Sequence, residues 1–309
     1  TAGHPMVVAH HEGTGPQFLF YGHYDVQPID PINLWNSPPF LPTVENTNNG
    51  QVIRGRGSSD DKGQLMTFVE ACRAWKSVYK KLPAKVSILF EGEEESGSPS
   101  LIPFLKNNSA ELKSSIALIC DTGLYDNDTP GIVTSLRGTV GIELEIIGPN
   151  KDLHSGKYGG LSTNPIRVLN KILTGLHDDN GKITLPGFYD GVSEISDELR
   201  KQWESLSFNE TKFLNDVGLS EPAGEKGRTA LEMLWARPTC DVNGISGGYQ
   251  GEGFKTVIAS KASAKVSFRL VGKQDPKKVV SNFKEYVQKS LPLDCSVNYV
   301  AEKGSKATG

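Results

Sequence analysis

The 309-residue sequence has no long apolar run, no close pair of cysteines and no strong excess of either charge. No apolar stretch approaches the ~18 residues that a transmembrane helix requires, so we expect no membrane span. The 33 basic and 36 acidic side chains leave a formal net charge of −3, which does not indicate nucleic acid or an anionic membrane as a partner. Its four cysteines (Cys72, Cys120, Cys240 and Cys295) form no CxxC motif, which favours reduced thiols in a cytoplasmic protein.

The length and the distribution of residue types predict two domains. At ~150 residues per domain, the chain corresponds to about two. Its pattern of apolar residues changes after Arg137-Gly138. We therefore predict one domain over residues 1–137 and a second over residues 138–309.

The first segment alternates short apolar stretches with amphipathic ones. The predicted strands are 17–21, 85–90 and 115–120, and the predicted helices are 64–79 and 100–106. Buried strands separated by helices are typical of an α/β domain with a mostly parallel sheet.

The second segment has a different order of predicted elements. The predicted strands are 139–147, 256–258, 262–271 and 295–300; the predicted helices are 164–176 and 276–290, with a charged helical insertion over about 192–236. Without that insertion the order is β-α-β-β-α-β, which is the ferredoxin-like arrangement.

Acidic and imidazole side chains follow the predicted strands of the first segment. His23 and Asp25 follow the first strand, a glutamate cluster at 91–95 follows the second, and Asp121 follows the third. Ligands of open α/β sheets bind outside the carboxyl ends of the strands, so we expect these groups at one edge. Asp60-Asp61 precedes a predicted helix that would face the same edge.

So many carboxylates in one small site need a countercharge, since mutual repulsion would otherwise force some of them to bind protons. One or two divalent ions would supply it, and one imidazole with several carboxylates suits Zn²⁺, Mn²⁺ or Co²⁺. A simpler interpretation remains open at this point: the glutamates are solvated loop residues, and Asp60-Asp61 caps the helix.

Five motifs resemble those of the M20 metallopeptidases, in the branch of carnosinase and the Cys-Gly dipeptidases. They are YGHYDVQP at 21–28, GRGSSDDKG at 55–63, EGEEESGS at 91–98, DLHSG at 152–156 and FRLV at 268–271. The resemblance extends over essentially the whole chain. It implies a mostly parallel metallopeptidase catalytic domain, followed by a ferredoxin-like βαββαβ lid and dimerisation domain.

The resemblance also implies a site for two divalent metal ions, Zn²⁺ or Mn²⁺. His23, Asp60 and Asp121 would hold one ion, and Asp60 would bridge to a second ion that Glu95 also binds. The Asp60–Asp61 peptide bond is expected to be cis.

Further residues have implied roles in hydrolysing a small peptide. Glu94 would be the general base, and Asp25 would fix the tautomer of His23. In the second segment His154 would stabilise an oxyanion in a partner subunit of a homodimer. Arg269 would bind the substrate carboxylate, and Thr256 would contact the substrate as well.

One departure from the family pattern concerns a second metal-binding histidine, which we do not find downstream. We therefore expect a piece of a longer protein whose catalytic domain is incomplete here, with one weakly bound ion and no peptidase activity of its own. Two alternatives to dipeptide hydrolysis stay open: an N-acyl-amino-acid amidase, and a non-catalytic dimerisation or interaction fragment.

Overall fold

The computed structural model describes residues 3–48, 50–126 and 129–305. The chain divides into two compact units, Thr1–Ile132 and Val133–Gly309. Among the described residues, no helix combines the length and the apolar character needed to cross a membrane.

The described residues of the first unit form six strands and two α-helices. The strands are β1 (Val7–His11), β2 (Gln17–His23), β3 (Thr43–Thr47), β4 (Gly50–Arg54), β5 (Lys85–Glu91) and β6 (Ile116–Ile119), and the helices are α1 (Lys62–Tyr79) and α2 (Leu101–Asn107). Short 3₁₀ turns lie at Ile32–Leu34 and Glu94–Ser96.

The main sheet of this unit has the strand order β1-β5-β2-β6. Strands β5, β2 and β6 are parallel, as predicted, whereas β1 is an antiparallel edge strand. Helix α1 packs on the sheet because its Phe68 ring stacks on the buried Phe20 of β2, with ring centroids 3.9 Å apart. The parallel strands therefore all end at the same edge.

In the second unit, six further strands and six helices are found over residues 133–305. The strands are β7 (Gly138–Ile147), β8 (Leu153–His154), β9 (Thr239–Gly247), β10 (Val257–Ile258), β11 (Lys261–Leu270) and β12 (Ser296–Ser305). The helices are α3 (Ser155–Tyr158), α4 (Pro165–Thr174), α5 (Asp197–Glu204), α6 (Glu210–Asn215), α7 (Ala230–Trp235) and α8 (Pro276–Ser290).

The large sheet of this unit is antiparallel, with the order β12-β7-β11-β9. Along β7 every second residue is buried, and helices α4 and α8 pack on that face. Phe283 of α8 is fully buried there against Phe268 of β11. The elements β7-α4-β9-β11-α8-β12 give the predicted βαββαβ order.

One strand of this sheet was predicted at the wrong place. Residues 257–258 belong to β10, which pairs with β8 in a separate two-stranded sheet, and the second strand of the large sheet is β9. Strand β9 is an edge strand that leaves Val242 42% and Ile245 56% exposed, so its sequence lacks a clear apolar alternation. Its glycines and the register shift opposite Lys265/Val266 weaken the pattern further.

Candidate metal and catalytic site

The residues predicted at the strand ends do meet at one edge of the first sheet. His23 ends β2 and pairs in register with Glu91, the last residue of β5, while Tyr21 pairs with Ile119 at the end of β6. Asp121 follows two residues after β6, level with His23. Parallel pairing of these strands thus brings three separate stretches of sequence together at one site.

His23 lies at the centre of this site and is fully buried. Its Nε2 atom lies 3.2 Å from Asp60 Oδ1, 3.6 Å from Asp121 Oδ2 and 3.9 Å from Glu94 Oε2. Within the described part of the chain, no hydrogen bond satisfies this buried nitrogen. A buried imidazole nitrogen that faces several carboxylates has the donor set and the unsatisfied lone pair that a divalent cation requires, so the residues present fit a metal.

Two overlapping groups of side chains have ligand atoms within 4.8 Å of one another: His23, Glu94 and Asp121, and His23, Asp60 and Glu95. All four predicted metal ligands are therefore close together. These groups differ from the implied ligand sets in two respects: Asp60 and Asp121 fall in different groups, and Glu94, the expected base, belongs to one of them.

Asp25 connects the histidine to the glutamates. Its Oδ1 atom lies 3.2 Å from His23 Nδ1 and accepts the backbone N–H of Glu94 at 3.2 Å, and its Oδ2 accepts the N–H of Glu95 at 2.9 Å. Since a carboxylate only accepts, Asp25 favours a proton on Nδ1 and leaves the lone pair of Nε2 free.

Asp61 has a positioning role that the sequence did not reveal. It occupies the N-cap position of α1, but its side chain makes no capping bond and instead accepts the backbone N–H of His23 at 2.9 Å. A Cβ atom on Gly22 would lie only 3.0 Å from the same carboxylate, so glycine permits this approach. The Asp60–Asp61 peptide bond is cis, as the resemblance implied.

A second buried carboxylate, that of Glu91, anchors the loop that carries the glutamates. It accepts hydrogen bonds from the hydroxyls of Tyr21 and Ser98. Its backbone carbonyl also accepts the N–H of Tyr24 at 2.8 Å. Together with Asp25, these bonds hold both ends of the segment from 91 to 98 against β2.

Burial and charge perturb the titration of this cluster. Burial raises the pKa of the Glu94 carboxyl and of the Asp61 carboxyl. For His23, burial lowers the pKa, but Glu94, Asp61 and Asp121 outweigh it and leave the pKa raised. Without a cation, the cluster therefore retains protons to a higher pH than these side chains do in water.

In the second unit, His154 and Thr256 lie side by side. Strands β8 and β10 pair His154 with Val257, and His154 Nε2 lies 3.3 Å from Thr256 Oγ1. His154 Nδ1 accepts the N–H of Gly156 at 3.0 Å, which assigns the proton of the neutral ring to Nε2. The exposed Arg269 lies on β11, and no hydrogen bond joins it to either residue in the described part of the chain.

Comparison with known proteins relates this arrangement to one family. Residues 19–299 match the profile of peptidase family M20/M25/M40. The chain is 32% identical to the Cys-Gly metallodipeptidase DUG1 of Candida albicans over 89% of this chain and 57% of that protein. It is 28% identical to the Beta-Ala-His dipeptidase of Rattus norvegicus over 93% of this chain and 58% of that protein.

A solved structure shares the fold. An M20 family metallo-carboxypeptidase, Sso-CP2 from Sulfolobus solfataricus, is 35% identical with a TM-score of 0.81, over 96% of this chain and 67% of that one. The present chain thus spans slightly under three-fifths of the length of the two curated relatives above.

Proposed function

Because the chain belongs to peptidase family M20/M25/M40, we propose that it takes part in metal-dependent hydrolysis of dipeptides or small peptides with a free C-terminal carboxylate. The observation that carries this proposal is the buried, unsatisfied Nε2 of His23 among the carboxylates of Asp60, Glu94 and Asp121. The dipeptidase names of two similar proteins support a dipeptide substrate.

His23, Asp60, Glu95 and Asp121 would hold the metal, with Zn²⁺ and Mn²⁺ as the candidates. A divalent ion at such a site polarises the scissile carbonyl and lowers the pKa of a bound water. Only His23 contributes an imidazole to the cluster within the described residues, and its Nε2 can ligate one ion. We therefore propose that the second ion needs a further ligand and that the 309-residue chain alone lacks peptidase activity.

Glu94 acts as the general base in this mechanism. Its carboxylate takes a proton from the attacking water and then gives it to the amine nitrogen as the C–N bond breaks. Burial raises the pKa of Glu94 above that of an ordinary glutamate, which suits a group that must both take and release a proton. Asp25 holds the backbone of Glu94 and orients the His23 ring.

The second unit would supply the remaining contacts. The guanidinium of Arg269 would bind the terminal carboxylate of the substrate, and His154 would reach the active site of a partner subunit, where its Nε2–H would donate to the developing oxyanion. Within this chain Nε2 lies 3.3 Å from Thr256 Oγ1, so the oxyanion would replace that hydroxyl as acceptor, and Thr256 would contact the substrate as well. In this proposal the second unit is the lid of the catalytic domain, and residues 138–309 also form the interface of a homodimer.

Two neighbouring substitutions in the full-length protein test the assignment. Glu94→Gln should keep the metal content and lower kcat by ~10²–10⁴-fold, since only proton transfer is lost. Glu95→Gln should lower the metal content, because a ligand oxygen is lost. Metal is measured by mass spectrometry, and turnover is measured with Cys-Gly, with β-Ala-His and with an N-acetylated amino acid.

The outcomes separate the alternatives. Loss of metal in Glu94→Gln would make Glu94 a ligand, and unchanged turnover would remove it from the mechanism. Exclusive cleavage of the N-acetylated amino acid would identify an amidase. A metal-loaded dimer that hydrolyses none of the three substrates would identify an interaction module.

A further inference from the structure

The face of the large sheet opposite helices α4 and α8 in the second unit carries two arginines at one end. Helices α4 and α8 pack on the opposite face. Arg269 on β11 lies opposite Thr139 of β7 and opposite Thr239 of β9. Side chains directly opposite each other share a face, so all three project from the uncovered side.

Arg137 belongs to the same end of this face. It immediately precedes β7, two residues before Thr139, and alternation along an extended chain directs both side chains to one side. Arg137 and Arg269 are therefore diagonal neighbours across the β7–β11 pair, at a spacing of ~7–8 Å, which long side chains can span. Partial desolvation, followed by the charge of Arg269, lowers the pKa of Arg137.

Neither guanidinium has a partner among the described residues: no hydrogen bond or ion pair joins either one to a carboxylate. The nearby acid is Asp241, whose negative charge opposes the lowering of the Arg137 pKa. Its carboxylate accepts a hydrogen bond from Thr239 Oγ1 at 3.2 Å. Three other arginines of this unit have carboxylate partners: Arg200 with Glu232, Arg228 with Glu194 and Arg237 with Glu225. Arg137 and Arg269 differ from these three in lying next to each other without such a partner.

A bound anion would offset the repulsion between the two guanidinium groups. Two like charges at a diagonal position repel each other, and a carboxylate between them would convert repulsion into two charge-assisted interactions. The planar guanidinium matches a carboxylate in shape, and Thr139 and Thr239 add hydroxyl donors on the same face. Two arginines and Asp241 sum to a charge of about +1, which one carboxylate would neutralise.

We propose that Arg137 is a second carboxylate-binding residue that acts with Arg269, and that this end of the sheet takes one singly charged carboxylate. The identification of that carboxylate with the C-terminus of a peptide substrate rests on the proposed function. The site itself depends only on residues of the second unit.

The test measures carboxylate binding without turnover. N-acetylglycine is titrated into the metal-free, full-length protein at constant ionic strength, and the dissociation constant is taken from saturation-transfer difference NMR. The neutral N-acetylglycinamide serves as the control ligand. The variants are Arg137→Gln, Arg137→Lys and Asp241→Asn, with Lys265→Gln as a matched loss of charge on the same strand face as Arg269.

Arg137→Gln should weaken binding about tenfold, as expected for one charge-assisted hydrogen bond. The affinity of Arg137→Lys should lie between those of the wild type and Arg137→Gln, because lysine keeps the charge but lacks the planar guanidinium. Asp241→Asn should strengthen binding about threefold, because it removes a competing negative charge.

Lys265→Gln and the neutral amide define the background of the measurement. The proposal is overturned if Arg137→Gln weakens binding no more than Lys265→Gln does, or if Asp241→Asn weakens it. Because neither metal nor peptide cleavage enters the measurement, failure of the peptidase assignment would leave these results unchanged.

Discussion

Replacing Asp25 with asparagine should disturb the metal site without removing a metal ligand. The two carboxylate oxygens of Asp25 accept from His23 Nδ1, from the N–H of Glu94 and from the N–H of Glu95. Asparagine has one acceptor oxygen and one NH₂ donor. If its oxygen takes the Oδ1 position, the NH₂ group faces the Glu95 N–H, donor against donor. If the orientation is reversed, the NH₂ group favours an unprotonated Nδ1 and moves the ring proton to Nε2, where metal must bind.

Either orientation loses about one charge-assisted hydrogen bond, worth ~1.5–3 kcal/mol. Residues that hydrogen-bond to metal-binding side chains and orient them typically increase metal affinity by ~10–100-fold, which agrees with this free energy. We therefore expect Asp25→Asn to weaken Zn²⁺ binding by ~10–100-fold, measured by competition with a chromophoric chelator.

Asp178→Asn is the matched control. Asp178 also accepts two backbone N–H groups, from Asn180 at 2.8 Å and Lys182 at 2.9 Å, but both bonds go to Oδ1. An asparagine can keep both, so this variant should bind metal normally. Wild-type Zn²⁺ affinity in Asp25→Asn, with the protein folded, would refute the role assigned to Asp25.

Two further predictions concern protons and stoichiometry. The pKa values of His23, Asp61 and Glu94 are raised, so protons compete with the metal and metal affinity should increase with pH through and above the ordinary histidine range. For the same reason the folded metal-free protein binds more protons than the unfolded chain, and its stability should fall as pH rises from ~4 to above ~7. A pH-independent affinity in chelator competition, or a metal-free protein that becomes more stable with pH, would contradict this. Calorimetric titration of the 309-residue chain with Zn²⁺ should show one weak site, since one imidazole serves the cluster within the described residues; two tight sites would contradict it.

Much of the site could be predicted because it depends on local sequence and one rule of topology. The strands 17–21 and 85–90 are mostly apolar, and parallel pairing places the residues that follow them at one edge. That argument locates His23 and Asp121 without a structure. The helices predicted over 164–176 and 276–290 likewise correspond to α4 (Pro165–Thr174) and α8 (Pro276–Ser290).

The features missed were those that depend on tertiary contacts. Strand β1 and the hairpin of β3 and β4 are mostly exposed, so burial leaves no periodic pattern in their sequences. Asp61 has the sequence context of a helix cap, but its side chain accepts from His23, 38 residues away. No spacing rule distinguishes these two uses of an aspartate.

The central claim is that His23 and the surrounding carboxylates bind a divalent cation. Anomalous diffraction from Zn²⁺-loaded crystals, recorded on both sides of the zinc edge, tests it most directly. We predict a peak ~2.0–2.1 Å from His23 Nε2, with oxygen atoms of Asp121, Asp60 or Glu95 completing the coordination. A loaded protein whose zinc peaks all lie away from His23 would contradict the account.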